Sequence, residues 1–330
     1  MEPLRIGCLG AARITKAALV KPAATTPGVV VTAIAARDGD RAAAYAAKHG
    51  IPTSYGSYAQ LLADPDVDAI YNPLPNGLHG AWTIRALEAG KHVLCEKPFT
   101  ANADEAAEVA AAADRTGLVV MEAFHWRYHP LAARMLDIVR GGELGAVLGV
   151  EAAVCFPNPN PKDIRWDLGL AGGALMDAGC YAVHLVRTLA GAEPTVVSAT
   201  AKERSPGVDK TTDAELSFPG GTTGHVRTSM LAVPQVGATV RGDRATMKVI
   251  NPLAPQLWHR LTVKGEAGSR RERVAGGATY GYQLAAFVAA VQEGAPTLTP
   301  PAESIANMRV IDAIYRAAGM QPRRPTPVGA

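Results

Sequence analysis

Two kinds of segment alternate along the first 124 residues. Short apolar runs rich in β-branched residues are separated by longer Ala-rich segments whose apolar positions recur at the spacing of one helical face. The predicted strands are Leu4–Leu9, Val29–Ala35, Ala69–Asn72, His92–Cys95 and Leu118–Glu122, and the predicted helices are Ala11–Thr25, Asp40–His49, Leu78–Ala89 and Asn102–Thr116. This order of elements is typical of βαβ units that build a parallel sheet. We therefore predict a doubly wound α/β domain over residues 1–124.

The pattern changes after Pro130. A helix, a strand-like run and a second helix come first, and residues 195–274 then show period-2 segments separated by Gly-containing turns. The predicted elements are the helix Leu131–Arg140, the strand Val147–Cys155, the helix Gly172–Ala190, and two late helices, Tyr282–Glu293 and Glu303–Ala318. The tail Gln321–Ala330 is predicted to be solvated or disordered. Residues 125–330 are thus predicted to form an α+β domain with a mainly antiparallel sheet.

Length, composition and charge limit the classes of protein to consider. A chain of 330 residues suggests two domains, and 48% hydrophobic with 19% charged residues is typical of a globular protein. The net charge of +3 is scattered, which argues against a nucleic-acid partner. Apolar windows such as Leu118–Ala123 are too short to span a membrane. Met1-Glu2-Pro3 leads directly into a strand without a secretion signal, so we expect a cytoplasmic protein.

Four cysteines offer neither a disulfide framework nor a zinc site. Cys8, Cys95, Cys155 and Cys180 form no C-x-x-C pair and lie near no suitably spaced histidines. His125 and His129 have H-x-x-x-H spacing but lack the glutamate of a metalloprotease motif between them. We therefore predict no metal and interpret the cysteines as small buried hydrophobes.

A glycine-containing turn follows the first predicted strand. The run Gly7-Cys8-Leu9-Gly10-Ala11-Ala12-Arg13-Ile14 leads into a helical segment, and a small residue such as Gly10 lets the backbone approach a pyrophosphate at the helix N-terminus. The spacing departs from G-x-G-x-x-G, and a tight turn without a ligand is the alternative.

The end of the second strand distinguishes two dinucleotides. NAD sites usually place an acid here, whereas this chain has Arg37 followed by Asp38. A guanidinium can pair with a 2′-phosphate, so Arg37 favours NADP, with NAD as the alternative cofactor. For Asp38 we favour the role of helix N-cap over a contact with the ribose.

Two further clusters carry groups suited to proton transfer. Glu96-Lys97-Pro98 follows the strand His92–Cys95, at the sheet edge where ligands of open α/β sheets bind, although a surface lysine is the alternative. Asp177, Tyr181 and His184 have the spacing i, i+4 and i+7, which predicts one helix face. A capped, satisfied buried pair is the alternative for Asp177 and Tyr181.

These motifs together resemble the glucose–fructose oxidoreductase/inositol dehydrogenase family, also called Gfo/Idh/MocA. The resemblance spans nearly the whole chain and rests on residues 7–12, 75–79, 96–98, 122–130, Asp177-x-Gly179-x-Tyr181 and 305–309. Tyr181, where many members have His, resembles the branch that contains NADP-linked D-xylose dehydrogenases and dimeric dihydrodiol dehydrogenases. Ala12 departs from the common glycine motif.

The resemblance implies an N-terminal Rossmann domain and a C-terminal α+β domain whose open sheet mediates assembly as a homodimer or a dimer of dimers. It also implies a cis peptide bond before Pro98. The implied catalytic residues are Lys97, Tyr181 and Asp177, which bind the substrate together with Arg127. The implied cofactor-binding residues are Gly7, Gly10, Ala11, Ala12, Arg13, Ile14, Arg37, Leu74, Pro75, Asn76, His79, Glu96, Lys97, Arg165 and Trp166. For His79 a role at the helix start is an equal alternative.

The activity that follows from the resemblance is hydride transfer between NADP and the hydroxyl of a sugar, polyol or trans-dihydrodiol. Tyr181 takes the substrate proton, and the nearby charge of Lys97 favours the phenolate. A reductase of keto-sugars that uses the same residues in reverse is the alternative. A catalytically idle NADP-binding sensor and a redox-cycling glycoside hydrolase are the more distant alternatives.

Overall fold

The computed structural model describes residues 2–266 and 268–328 of the chain. The described residues group into two compact units. Unit 1 comprises residues 2–125, 280–305 and 327–328, and unit 2 comprises residues 126–266, 268–279 and 306–326.

Unit 1 contains a six-stranded parallel sheet with the strand order β3-β2-β1-β4-β5-β6. The strands are β1 (Leu4–Leu9), β2 (Val29–Ala35), β3 (Thr53–Tyr55), β4 (Ala69–Asn72), β5 (His92–Cys95) and β6 (Val120–Glu122). The order reverses between β1 and β4, which is the switch point where doubly wound sheets bind their ligands. The predicted α/β fold is confirmed, and β3 was missed because three residues are too few to show a pattern.

Five α-helices lie within residues 2–125, and three of them begin at a polar side chain that caps the helix. The five are α1 (Lys21–Ala23), α2 (Gly39–His49), α3 (Tyr58–Leu62), α4 (His79–Glu88) and α5 (Ala103–Thr116). Asp38, Ser57 and Asn102 accept hydrogen bonds from the first-turn amides of α2, α3 and α5. The preference for Asp38 as an N-cap is therefore confirmed.

The predicted helix Ala11–Thr25 is wrong in its start and its type. A π-helical turn, Lys16–Val20, comes first and the three-residue α1 follows. Pro22 has no N–H to donate to the carbonyl of Ala18, so the regular α-helical bond pattern is interrupted there and Pro22 stands in the first turn of α1.

Unit 2 contains an eight-stranded sheet with the order β14-β13-β12-β11-β7-β10-β9-β8. The strands are β7 (Val147–Cys155), β8 (Thr195–Ser205), β9 (Val208–Ser217), β10 (Thr223–Ser229), β11 (Gln235–Gly242), β12 (Ala245–Ile250), β13 (Arg260–Gly265) and β14 (Gly268–Glu272). Neighbouring strands are antiparallel except β7 and β10, which pair in parallel. The predicted mainly antiparallel sheet is confirmed.

Two helices of unit 2 are α6 (Pro130–Arg140) and α7 (Cys180–Ala190). The predicted helix Gly172–Ala190 is corrected, because its first regular turn, Leu175–Gly179, is π-helical. Gly173 has φ +136° and cannot belong to a helix. The buried hydroxyl of Thr228 donates to the carbonyl of Ala174 at 3.1 Å, so a neighbouring strand binds the backbone where the π turn begins.

The last helices are α8 (Thr279–Glu293) and α9 (Pro301–Ala317). Residues 280–305 belong to unit 1, which the sequence pattern did not indicate. The amide of Glu122 in β6 donates to the carbonyl of Thr299 at 3.0 Å, and the hydroxyl of Thr299 donates back to the carbonyl of Glu122 at 2.7 Å. This two-way pairing ties the returning segment to the edge strand of the parallel sheet.

The prediction of a solvated tail is wrong for Arg323, which is 2% exposed. Its guanidinium lies 2.7 Å from the buried carboxylate of Asp209, so an ion pair fixes this part of the tail to unit 2. Gly329 and Ala330, which the same prediction covered, lie outside the described residues.

The four cysteines and one long apolar stretch are buried inside the protein. Cys8, Cys95, Cys155 and Cys180 are all buried thiols, as predicted. Among the described residues, the stretch Leu168–Ala190 is long and apolar enough to cross a membrane by length and composition, although its sequence is not an uninterrupted apolar run. Of its 18-residue window, 89% is buried inside the protein, as in the core helix of a globular unit.

Candidate functional site

The turn after β1 brings the backbone of Gly10 close to two other loops of unit 1. Gly10 has φ +91°, a conformation that residues with a Cβ rarely adopt, and its amide donates to the carbonyl of Ala35 at 2.7 Å. A Cβ on Gly10 would lie 3.1 Å from Leu74 and 3.9 Å from the hydroxyl of Tyr58. The turn therefore has the close approach that a dinucleotide needs.

The residues predicted to contact the cofactor around this turn differ in how deeply they are buried. Gly7 lies inside β1, where a Cβ would come within 2.8 Å of Leu61, so this glycine makes room for core packing rather than shaping the turn. Of the following residues, Ala11 is buried, Ala12 and Ile14 are half-buried and Arg13 is exposed.

Two arginines converge beside the turn at the end of β2. The positive charges of Arg37 and Arg41 both act on the phenol of Tyr58, and Arg41 donates to the carbonyl of Ala11 at 2.8 Å. Burial raises the pKa of Tyr58, and the charges of Arg37 and Arg41 oppose that rise. Asp38 is engaged in capping α2 through the amide of Arg41. This arrangement fits the 2′-phosphate of NADP, because two guanidinium groups lie where an NAD site has an acid.

Aromatic groups extend this cationic cluster. The ring of Tyr58 meets that of Trp82 edge to face with centroids 4.9 Å apart. The guanidinium of Arg85 lies 4.9 Å from the centroid of Trp82. Sequence reasoning missed Arg41, Tyr58 and Trp82, since none of them belongs to a recognisable motif.

The loop after β4 carries three of the predicted cofactor residues. Leu74 is 7% exposed, and Pro75 and Asn76 are half-buried. His79 is 1% exposed, and its ring nitrogens lie 2.7 Å from the carbonyl of Pro98 and 2.6 Å from that of Leu74. Burial lowers the pKa of His79 to about 4, against the effect of these two carbonyls. Its position as the first residue of α4 agrees with the helix-start alternative.

Glu96 and Lys97 follow β5 at the carboxyl edge of the same sheet. Glu96 is 8% exposed and accepts a hydrogen bond from Tyr71 at 2.7 Å, while Lys97 is half-buried. The Lys97–Pro98 peptide bond is cis, as the resemblance implied. Burial, aided by the charge of Lys97, lowers the pKa of His125 to about 3.

Tyr280 is a residue of this region that the sequence did not reveal. It lies at the start of α8, and its ring packs on that of His125 with centroids 4.3 Å apart. Burial raises the pKa of Tyr280, and the negative charge of Glu96 adds to the rise. No local signal marks it, because it lies 155 positions after His125 and only the fold brings the two together.

In unit 2, Asp177 lies in the π-helical turn and is 7% exposed. Its carboxylate accepts from Nε of Arg165 at 2.8 Å, and the Nη1 of Arg165 lies 3.2 Å from Asp163. The charge of Asp177 raises the pKa of Arg165. Trp166 is 7% exposed and donates to the carbonyl of Asn158 at 3.2 Å. The structure therefore joins Arg165 to Asp177 and uses Trp166 for packing within unit 2.

Tyr181 is half-buried in the first turn of α7. Gly179 between it and Asp177 has no room for a side chain, because a Cβ would lie 2.7 Å from Leu175 and 3.1 Å from Thr228. His184 is fully buried and packs edge to face on Trp126, at 5.4 Å between centroids. Asp177-x-Gly179-x-Tyr181 thus combines two polar groups with a glycine that packing requires.

Arg127 and His129 lie at the start of unit 2, before and at the beginning of α6. Arg127 is half-buried in a 3₁₀ turn, and its charge adds to the effect of burial in lowering the pKa of His184. His129 caps α6 by accepting from the amide of Leu131 at 3.0 Å. Across residues 2–266 and 268–328, no group of three His, Cys, Asp or Glu side chains could hold a metal ion.

Family models match both parts of the chain. Residues 4–124 match the model of an oxidoreductase family with an NAD-binding Rossmann fold. Residues 132–248 match the model of the GFO/IDH/MocA C-terminal domain.

Individual relatives align over most of the chain. It is 39% identical to D-xylose 1-dehydrogenase (NADP(+)) 2 of Haloferax volcanii, with 96% of this chain and 97% of the relative aligned. It is 35% identical to trans-1,2-dihydrobenzene-1,2-diol dehydrogenase of Sus scrofa, over 72% of this chain and 70% of the relative. A solved structure of a 3-ketoreductase from Actinomadura kijaniata with NADP and TDP-benzene is similar with a TM-score of 0.90 and 29% identity, covering 96% of this chain and 98% of the other.

Proposed function

The chain belongs to the Gfo/Idh/MocA family of NAD(P)-dependent oxidoreductases, and on that premise we propose that it transfers hydride between NADP and the hydroxyl of a sugar or related polyol. The observation that carries the proposal is the pair of cations beside the turn at Gly10, namely Arg37 after β2 and Arg41 in the first turn of α2. The D-xylose 1-dehydrogenase from Haloferax volcanii, aligned along nearly its whole length, supports the choice of an aldose as substrate.

The chemistry divides between the cofactor and the chain. The nicotinamide, when bound, accepts or supplies the hydride. In the proposed mechanism Tyr181 exchanges a proton with the substrate hydroxyl, and the ammonium of Lys97 favours the phenolate form. A positive charge is needed because a free phenol has a pKa of about 10. Asp177, held by Arg165, orients a hydroxyl of the substrate.

A keto-sugar reductase is the second candidate. The 3-ketoreductase from Actinomadura kijaniata, similar over nearly the whole chain, supports it. The same residues would serve, with Tyr181 donating its proton instead of accepting one. Rates of NADP reduction with D-xylose, D-glucose and a trans-dihydrodiol, compared with rates of NADPH oxidation by keto-sugars, distinguish the two directions.

Substitution of Tyr181 by Phe tests the proposed proton transfer. The ring and its packing remain while the hydroxyl is lost, so the melting temperature should hardly change and kcat should fall by about 10²- to 10⁴-fold. The limb of the wild-type pH profile that belongs to Tyr181 should disappear. Single-turnover hydride transfer beside thermal melting is the measurement, and a destabilised Y181F protein with normal turnover per folded molecule would assign Tyr181 a structural role.

Assembly and location belong to the same proposal. We expect a homodimer or a dimer of dimers, formed through the sheet of unit 2, in the cytoplasm. Light scattering of the purified protein and fractionation of cells that produce it test these two statements, and a monomeric mass at micromolar concentration would contradict the first.

A further inference from the structure

A fully buried carboxylate lies beneath the turn that carries Asp177. Asp209, in β9, is 0% exposed, and its Oδ2 accepts from the amide of Leu175 at 2.7 Å and from the hydroxyl of Thr212 at 3.0 Å. Its Oδ1 accepts from the hydroxyl of Tyr315 at 2.9 Å and from Nη2 of Arg323 at 2.7 Å. Four donors therefore satisfy one carboxylate, which is what a charge at this depth requires.

Arg323 makes a second bond from the other side of its guanidinium. Nε donates to the carbonyl of Gly172 at 2.7 Å, while Nη2 reaches Asp209 and the guanidinium lies 4.1 Å from the ring centroid of Tyr315. The planar fork thus binds a backbone carbonyl and a carboxylate at once, which a lysine ammonium cannot do with the same geometry.

The bonds from Asp209 and Arg323 hold both sides of the turn at Gly173. Gly172 is bound through its carbonyl and Leu175 through its amide. A Cβ on Gly173 would lie 2.2 Å from Asp209 and 2.6 Å from Arg323, so the turn fits directly over the ion pair.

The same turn fixes the partners Arg165 and Asp177. The amide of Gly173 donates to the carbonyl of Arg165 at 2.9 Å, and the amide of Asp177 donates to the carbonyl of Gly173 at 3.1 Å. The side chains of Arg165 and Asp177 then close the loop at 2.8 Å. Any shift of Gly172 or Gly173 is therefore transmitted to both of these residues.

We propose that the Asp209–Arg323 pair is a positioning device that sets the turn at Gly173 and, through it, Asp177 and Tyr181. The inference rests on the proposed function, in which Asp177 and Tyr181 act on the substrate. Burial of an ion pair adds little net stability, because desolvation offsets the attraction of the charges, whereas its directional bonds define a geometry. Arg323 is 2% exposed and bonds to the backbone of Gly172 and to Asp209, so it acts through the turn and is a positioning residue.

The test compares three full-length variants with the wild type. In Arg323→Lys a charge still faces Asp209, but the bond to the carbonyl of Gly172 is lost. In Arg323→Met the carboxylate of Asp209 is left without its counter-charge, so this variant should melt far lower or fail to fold. In the double variant D209N/R323M both charges are removed, so folding should recover while the carbonyl of Gly172 still lacks its donor. Arg324→Met, an exposed neighbour in the same tail, is the matched control.

Two readouts are measured on each soluble variant. We expect R323K and D209N/R323M to bind NADP as the wild type does and to lose kcat for D-xylose oxidation by roughly 10- to 100-fold, as displaced reactive groups do. Hydrogen exchange of the amides in residues 172–181 should be faster in both variants, and R324M should match the wild type in every measurement.

Three outcomes decide the inference. Full kcat in D209N/R323M with only a lower melting temperature would show that the pair acts on stability alone and would overturn it. Unchanged hydrogen exchange over residues 172–181 in R323K would do the same. If the wild type itself transfers no hydride with any sugar tested, the proposed function fails, and the exchange rates still decide whether the pair holds the turn.

Discussion

Replacement of Arg37 by Ala separates recognition of the 2′-phosphate from recognition of the rest of the dinucleotide. Arg37 is exposed, lies two residues after β2 and acts electrostatically on Tyr58, whereas the side chain of Asp38 is occupied by the first turn of α2. NAD and NADP differ only in the 2′-phosphate. We therefore expect R37A to lose efficiency with NADP and to keep its efficiency with NAD.

The expected magnitude follows from the surroundings of the guanidinium. A hydrogen-bonded contact between charged groups contributes about 1.5–3 kcal/mol, or about 10- to 100-fold in kcat/KM. Arg37 is exposed, so solvent screens its charge, and Arg41 supplies a second cation nearby. Both effects reduce the expected loss of kcat/KM with NADP to about 10-fold, the lower end of that range.

The assay measures kcat/KM for NADP and NAD at saturating sugar, at low and at high salt. Arg41→Ala is informative beside R37A because Arg41 also donates to the carbonyl of Ala11, so its loss should affect both cofactors. Lys48→Ala is the matched control, since it removes an exposed cation about 14 Å along α2 from its first residue. Equal efficiencies of the wild type with NADP and NAD, or an equal loss with both in R37A, would refute the reasoning.

Two further predictions test unit 1. Lys97→Met should fold and bind NADP but lose nearly all turnover, and a retained kcat would place the chemistry elsewhere. Lys91→Met is the control, because the wild-type ammonium of Lys91 donates to two backbone carbonyls at 2.6 and 2.8 Å. Its loss should lower the melting temperature and leave kcat per folded molecule unchanged. Burial raises the pKa of Glu105 to about 7, above the ordinary value of 4.5, so the folded state binds this proton more tightly. The contribution of protonated Glu105 to the free energy of unfolding is fully present below about pH 4.5. This contribution, up to about 3 kcal/mol, is lost as the pH rises towards 7. Glu105→Gln should flatten this fall in the free energy of unfolding, measured with urea from about pH 5 to pH 8, and an identical slope in both proteins would contradict the assignment.

Local patterns were sufficient for the elements whose stability is local. The apolar runs of β1, β2, β4 and β5 have the predicted bounds, because a buried parallel strand needs apolar residues on both faces. The N-cap at Asp38 follows from a side-chain oxygen that satisfies a first-turn amide of a helix. Each of these features depends on residues that are neighbours in the sequence.

The features that escaped prediction depend on contacts between distant residues. The π-helical turn at Leu175–Gly179 begins where Thr228, 54 positions after Ala174, binds the carbonyl of Ala174. Arg323 is buried because Asp209, 114 positions earlier, supplies its charge partner. Neither hydrophobic periodicity nor a local motif contains such pairings.

The motifs that carry the family resemblance also mix two kinds of residue. Gly7 and Gly179 are required because Leu61, Leu175 and Thr228 occupy the space of a side chain, whereas Lys97 and Tyr181 carry ionisable groups at half-buried positions. A substitution at the first kind disturbs packing, and one at the second kind alters the chemistry with the fold intact. A motif therefore identifies a fold and a reaction together, and only the structure assigns each of its residues to one or the other.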